Sequence, residues 1–110
     1  WSFVEPHQDR ADQGEVSRVA EKVRISDLCS TGLYYFRSRE MFAEAYANEM
    51  AHPSQKIGEH YIAPIYNQLI SRGHRVLFRN IDKDQVVFCG VPAEYEALVQ
   101  APSIVQSIIS

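Results

Sequence analysis

The sequence predicts an α/β fold, a mixed sheet of about five strands carrying two to three helices. Three observations predict it. The first third of the chain holds runs that alternate or are wholly apolar, as strands do. Two later stretches space apolar residues three and four apart, as amphipathic helices do. Clusters of Gly, Pro, Asp and Ser punctuate the joins. A length of 110 residues suits one domain over 1–110. Apolar content of 45% and charged content of 23% are ordinary for a globular chain with a modest core.

Trp1–Glu5 reads as a short strand ended by Pro6, and polar His7–Gly14 reads as a loop. Glu15–Lys22 alternates, with Val16, Val19 and Ala20 apolar among polar Ser17, Arg18 and Glu21. Strand, loop and strand together predict an antiparallel pair. Arg24–Thr31 follows, with Ser26-Asp27 and Ser30-Thr31 as turn formers. Gly32–Phe36 is almost unbroken apolar and aromatic sequence, which suits a strand buried on both faces.

Ser38 is the natural N-cap for a helix over Arg39–Met50, whose Phe42, Ala45, Tyr46 and Met50 share a face. His52-Pro53-Ser54 breaks the chain, because the residue before a proline is steered away from helix. A second helix starts near Ala63, with Pro64 in the first turn, where its missing N–H does no harm. Ile62, Ile65, Tyr66, Leu69 and Ile70 form its stripe, and Gly73 is its C-terminal cap. His74–Ile81 reads as a strand, Asp82-Lys83-Asp84 as a turn and Gln85–Cys89 as a further short strand. Gly32–Phe36 and His74–Ile81 are expected at the centre of the core. Gly90-Val91-Pro92 leads into a helix over Ala93–Gln100, with Glu94 placed to suit the helix dipole. The tail Ser103–Ser110 fits a last helix, a strand added to a partner, or an end created by truncation. A chain that opens on Trp1 in a strand-like run is expected to be part of something longer.

Charge and cysteine usage narrow the function. A net charge of −3, with scattered basic residues, argues against nucleic-acid and anionic-membrane partners. Cys29 and Cys89 lie far apart with no CxxC, which fits buried or semi-buried free thiols in a reducing compartment. No signal peptide or membrane-length apolar run is present, so the cytoplasm is expected. His52, His60 and His74 lack ligand spacing, although His60 can face a pocket if the second helix aims its start there. Glu21-Lys22 stands at a strand end. Such a pair can serve a ligand, Lys giving a point charge to phosphate and Glu accepting from hydroxyls. On residue types alone a solvated surface pair is the commoner arrangement.

In order along the chain, Glu21-Lys22, then Thr31-Gly32-Leu33-Tyr34-Tyr35-Phe36, then Glu59–Asn67, then Cys89–Tyr95 resemble the sugar-phosphate nucleotidylyltransferases, the NDP-sugar pyrophosphorylase group. The resemblance covers most of Trp1–Leu98 and only the C-terminal half of such an enzyme. It implies part of a nucleotide-diphospho-sugar transferase fold and the making of NDP-sugars from a nucleoside triphosphate and a sugar 1-phosphate. It also implies that Glu21 binds sugar hydroxyls, that Lys22 binds the sugar phosphate, and that Ser30, Thr31 and Gly32 line the sugar pocket. A sugar 1-phosphate or nucleotide sugar is the implied partner.

The departures matter too. No GGxGTRL-like nucleotide loop exists here, and Phe88 stands where the group often has the aspartate of "DTG". Asp82 and Asp84 look like turn residues rather than metal ligands. No catalytic and no metal-binding residue is therefore assigned. Magnesium is expected only for a full-length member, and this chain is expected to be inactive alone. The alternative is a non-catalytic small protein derived from the same fold. It would bind ligands or form a homo-oligomer through an exposed strand edge.

Overall fold

The computed structural model describes residues 1–8, 12–55 and 58–109. Its contacts divide into two compact units, Trp1–Asn80 and Ile81–Ser110.

The first unit contains β1 (Ser2–Pro6), β2 (Gln13–Glu21), α1 (Arg39–Ala51), α2 (Ile65–Ser71) and β3 (Leu77–Arg79). The sheet order is β1-β2-β3, and both pairings are antiparallel. The expected antiparallel pair is thus present. Its register carries one irregularity. Val4 faces Val19 and Glu5 faces Arg18, but Pro6 faces Val16, leaving Ser17 as an extra residue on β2. This bulge resets the strand's alternation. It explains how Val16 and Val19, an odd number of positions apart, both enter one core cluster with Ala63. The Ser17 hydroxyl fastens the bulge, with Glu5 O and Glu5 Oε1 each 3.0 Å away.

The first correction concerns strand number and direction. Among the described residues the sheet has three strands, all antiparallel, not five in mixed directions. Gly32–Phe36 is not a strand. Tyr34 and Phe36 turn inward, while Leu33 and Tyr35 are exposed. Tyr34 packs on Val16 and Val19 of the sheet and on Ala63, whereas Phe36 packs between the helices. Phe36 stacks on Tyr66 at 4.5 Å and meets Phe42 edge-on at 4.8 Å. The Tyr66 hydroxyl donates to Tyr35 O at 2.6 Å. His74–Ile81 contracts to the three-residue β3 at the sheet edge, and Gln85–Cys89 forms no strand. An apolar run has the same composition whether a sheet or a helix pair covers it, so its pattern could not separate the two.

The helices follow their end signals. Ser38 Oγ accepts from Met41 N–H at 3.1 Å and caps α1. Pro64 opens α2, and Gly73 follows its end in the left-handed region (φ 84°), donating to Ile70 O. Ala45, Ile65 and Leu69 form the buried contact between α1 and α2, with Phe36, Phe42 and Tyr66 packed around it.

The second unit holds a 3₁₀ turn (Lys83–Gln85), α3 (Pro92–Gln100) and α4 (Ser103–Ile109). Pro92 occupies the first turn of α3, and Glu94 Oε1 accepts from Val91 N–H at 3.2 Å. The tail is therefore helical. With α1 and α2 this makes four α-helices among the described residues, against two to three expected. Cys29 and Cys89 are free, as expected, but exposed, contrary to the buried or semi-buried setting expected. No helix among the described residues is long and apolar enough to cross a membrane.

Candidate functional site

The residues singled out by sequence meet at one end of the sheet of the first unit. Ser2 pairs with Glu21 across β1 and β2. On the other side of β1, Leu28–Ser30 runs alongside as a strip. Val4 N–H donates to Leu28 O at 2.9 Å, Ser30 N–H donates to Ser2 O at 2.8 Å, and Cys29 bridges Phe3. Glu21, Ser2 and Ser30 therefore lie in a row across the sheet, two inter-strand spacings from end to end.

Ser2 is the centre of that row. Its hydroxyl donates to Glu21 Oε2 and accepts from the Tyr34 hydroxyl at 3.2 Å. Ser2 and Glu21 are both buried. A buried carboxylate is costly unless donors surround it, and Ser2 supplies one. Tyr34, from the TGLYYF run, thus reaches Glu21 through a single hydroxyl.

Lys22 leaves β2 in the left-handed region, with φ 61°. Its N–H donates to Trp1 O at 2.8 Å. Its ammonium stands 4.9 Å from the centre of the Tyr61 ring, a cation–π distance. The hydrogen bond to Tyr61 and the field of that phenol, with smaller contributions from Glu59 and Glu21, raise the Lys22 pKa above its ordinary value. Lys22 is thus a fully charged cation at neutral pH, held at the strand end. The Tyr61 hydroxyl in turn donates to Glu59 Oε2 at 2.5 Å.

Ser30 is half-buried, and Thr31 and Gly32 beyond it are exposed at a bend. Ser30 Oγ accepts from Gly32 N–H at 3.1 Å, and Thr31 Oγ1 accepts from Leu33 N–H at 3.4 Å. Each hydroxyl uses a lone pair on its own backbone and keeps its proton to donate. Gly32 has φ 91°, a conformation that glycine alone adopts freely. A cavity of about 180 Å³ lies on the Tyr61 side, lined by Glu49, Gln55, Glu59, His60, Tyr61 and Pro64 among others. His60 thus faces a cavity. That cavity is not lined by Glu21, Lys22 or Ser30–Gly32.

Sequence reasoning missed the residues that hold this strand end. The edge of β2 beyond β3 is covered by two side-chain amides. Asn67 accepts from Val19 N–H at 2.8 Å and donates to Val19 O at 2.7 Å. Gln55 accepts from Glu21 N–H at 2.6 Å and donates to Glu21 O at 3.1 Å. Behind them, buried Glu49 of α1 accepts from the N–H and the hydroxyl of Ser54, each at 2.9 Å, and from Gln68 Nε2 at 2.7 Å. Asn67 carried one signal, since asparagine is a poor residue for a helix interior and needs another use there. Gln55 carried none.

Glu21 and Lys22 thus stand at the end of β2, with Ser30 two strand spacings from Glu21 and the Lys22 ammonium against Tyr61. The chain shares the fold and much of the sequence of part of a nucleoside-diphosphate-sugar pyrophosphorylase, the one whose crystal structure is known from Vibrio cholerae RC9. The two are 45% identical with a TM-score of 0.82, and the match covers 91% of this chain and 41% of that one. The chain thus spans about two-fifths of that protein's length. No protein-family model matches the chain, and no curated protein does.

Proposed function

We propose that the chain is the sugar-phosphate-binding portion of a nucleotidylyltransferase that makes NDP-sugars, corresponding to its C-terminal half and acting in the cytoplasm. The observation that carries this reading is the row of Glu21, Ser2 and Ser30 with charged Lys22 at its end. Lys22 takes the phosphate of a sugar 1-phosphate or nucleotide sugar as a point charge. The hydroxyls of Ser30 and Thr31, and the N–H groups around Gly32, meet the sugar. Glu21 accepts from sugar hydroxyls through the lone pairs that Ser2 leaves unused.

Among the described residues no three His, Cys, Asp or Glu side chains gather to hold a metal ion, so no step is derived through magnesium. Nucleotidyl transfer rests on phosphate positioning together with a divalent cation. The chain alone is read as binding without catalysing, because its sequence carries no GGxGTRL-like nucleotide loop. The remaining length of a full family member would supply the nucleotide loop and the metal acids. Exposed Leu33 and Tyr35, on a run that pairs with no strand among the described residues, support the idea of a surface covered by other polypeptide. The same exposure favours a second reading, in which another copy of the chain pairs there and the protein is a homo-oligomer.

Calorimetric titration of the purified chain with a panel of hexose 1-phosphates tests the main reading. Binding that weakens at least tenfold in Lys22→Ala supports it. Absence of binding to every member refutes it and leaves assembly as the function to pursue.

A further inference from the structure

We infer that Gln55 is a positioning residue for the Glu21–Lys22 pair, setting where the Lys22 ammonium stands. For its ligand consequences this rests on the reading that the pair binds sugar phosphate.

β3 pairs only with residues 13–15 of β2, so the same strand edge has no strand partner at Val19 and Glu21 among the described residues. Successive groups on one strand edge recur every second residue. Asn67 and Gln55 match that period, one amide on Val19 and one on Glu21. A side-chain amide carries both a donor and an acceptor, so each can satisfy a whole residue of strand edge. The two clamps differ in what they reach. Asn67 holds mid-strand and ties into Ser54 at 3.2 Å. Gln55 holds the last residue before the chain turns.

That turn is where position is decided. Lys22 adopts a left-handed backbone, which a residue with a Cβ leaves unless its surroundings fix it. Two contacts fix it. Lys22 N–H is tied to Trp1 O on the β1 side, and Glu21 is tied to Gln55 on the other. Gln55 belongs to the connection between α1 and α2, which also carries Tyr61, the partner of the ammonium. One connection therefore holds Lys22 at both ends, its strand through Gln55 and its charge through Tyr61. Loss of Gln55 would let the strand end drift while Tyr61 stays, and the ammonium would leave the ring.

The test uses the whole chain in three variants, Gln55→Ala, Lys22→Ala and Leu69→Ala. Leu69 lies in the contact between α1 and α2, so its truncation lowers stability without touching β2. The first readout needs no ligand. A methylene beside an aromatic face resonates upfield, so the Lys22 ε-methylene reports its distance from Tyr61 by proton NMR. The expected result is an upfield shift in the wild-type chain and in Leu69→Ala, and its loss in Gln55→Ala. Retention of the shift in Gln55→Ala overturns the positioning role, whatever the titrations give. The second readout is titration with glucose 1-phosphate, mannose 1-phosphate and inorganic phosphate, below the melting temperature of every variant. Gln55→Ala is expected to weaken sugar-phosphate binding about tenfold, the worth of two backbone hydrogen bonds that hold the pair in place. Inorganic phosphate, which needs only the charge, weakens less. Equal weakening in Leu69→Ala overturns the inference and assigns the effect to stability. A wild-type chain that binds none of these probes overturns the sugar-phosphate reading, and the NMR shift then decides the positioning role by itself.

Discussion

Replacing Asn67 by alanine should destabilise the first unit by about 2–3 kcal/mol. The substitution removes the acceptor for Val19 N–H and the donor to Val19 O, and Val19 is only 5% exposed. Each buried backbone group left without a partner costs about 1–3 kcal/mol. Asn67 is half-buried, so water enters part of the space it leaves, which places both groups towards the low end. Alanine returns roughly 0.5 kcal/mol through its better helix propensity. For a chain of this size the net loss lowers the melting temperature by about 8–12 °C. Near-ultraviolet circular dichroism follows the aromatic cluster of Phe36, Phe42 and Tyr66 through the thermal transition, and urea unfolding gives an independent free energy. Asn67→Asp keeps the acceptor and loses the donor, so it should fall at least half as far. A shift below about 2 °C for Asn67→Ala would show that the amide contributes nothing as a substitute strand, and the account of the β2 edge would fail.

Other outcomes follow from the same contacts. Ser2→Ala leaves the buried Glu21 carboxylate without that donor and should cost about 1–3 kcal/mol, measured by urea unfolding. Ser38→Ala removes the cap of α1 and should cost about 1 kcal/mol, read as a drop of about 4 °C in melting temperature. Lys22 and Tyr66 both have folded pKa values above their ordinary ones, Lys22 through Tyr61 and Tyr66 through burial. For a raised pKa the stabilisation is complete below the unfolded value and is lost as pH rises through the folded one. Stability should therefore be insensitive to these two groups at neutral pH and fall above roughly pH 10, where the unfolded groups begin to lose their protons. Denaturant midpoints measured from pH 8 to 11 check this. Tyr61→Phe should lower the Lys22 pKa towards its unfolded value and so shrink the Lys22 share of the loss, and NMR titration of the Lys22 ε-methylene reads the pKa directly.

Much of the fold was legible because its ends carry chemistry. Ser38, Pro64, Gly73 and Pro92 mark the helices through backbone requirements that any context imposes. The pair of β1 and β2 was visible in the apolar Val16, Val19 and Ala20 set among polar Ser17, Arg18 and Glu21, although the bulge that makes the pattern irregular was not. The runs LYYF and VVFC misled because an apolar run reports burial and not its cause. In LYYF, Phe36 is covered by a pair of helices, Tyr34 lies on the face of the sheet, and the other two side chains are exposed. At the site, Glu21, Lys22 and Ser30–Gly32 came from the resemblance, since surface charges and hydroxyls alone are too common to single out. The clamps Gln55 and Asn67 left no periodic trace, because each acts on backbone, and backbone is the same at every residue.

The extra residue at Ser17 makes the length of β2 more tolerant than its composition. Deleting Ser17 would place Val16 and Val19 two positions apart, the spacing at which a regular strand already puts both on one face. Val19 would stay in the interior, Arg18 would stay outside, and Glu21 would still pair with Ser2. Single-residue insertions and deletions are usually absorbed in loops. Here one such deletion in a nine-residue strand would leave the site facing as it does and remove only the local bend. Natural variants of this sequence should accordingly include strands one residue shorter between Glu15 and Lys22.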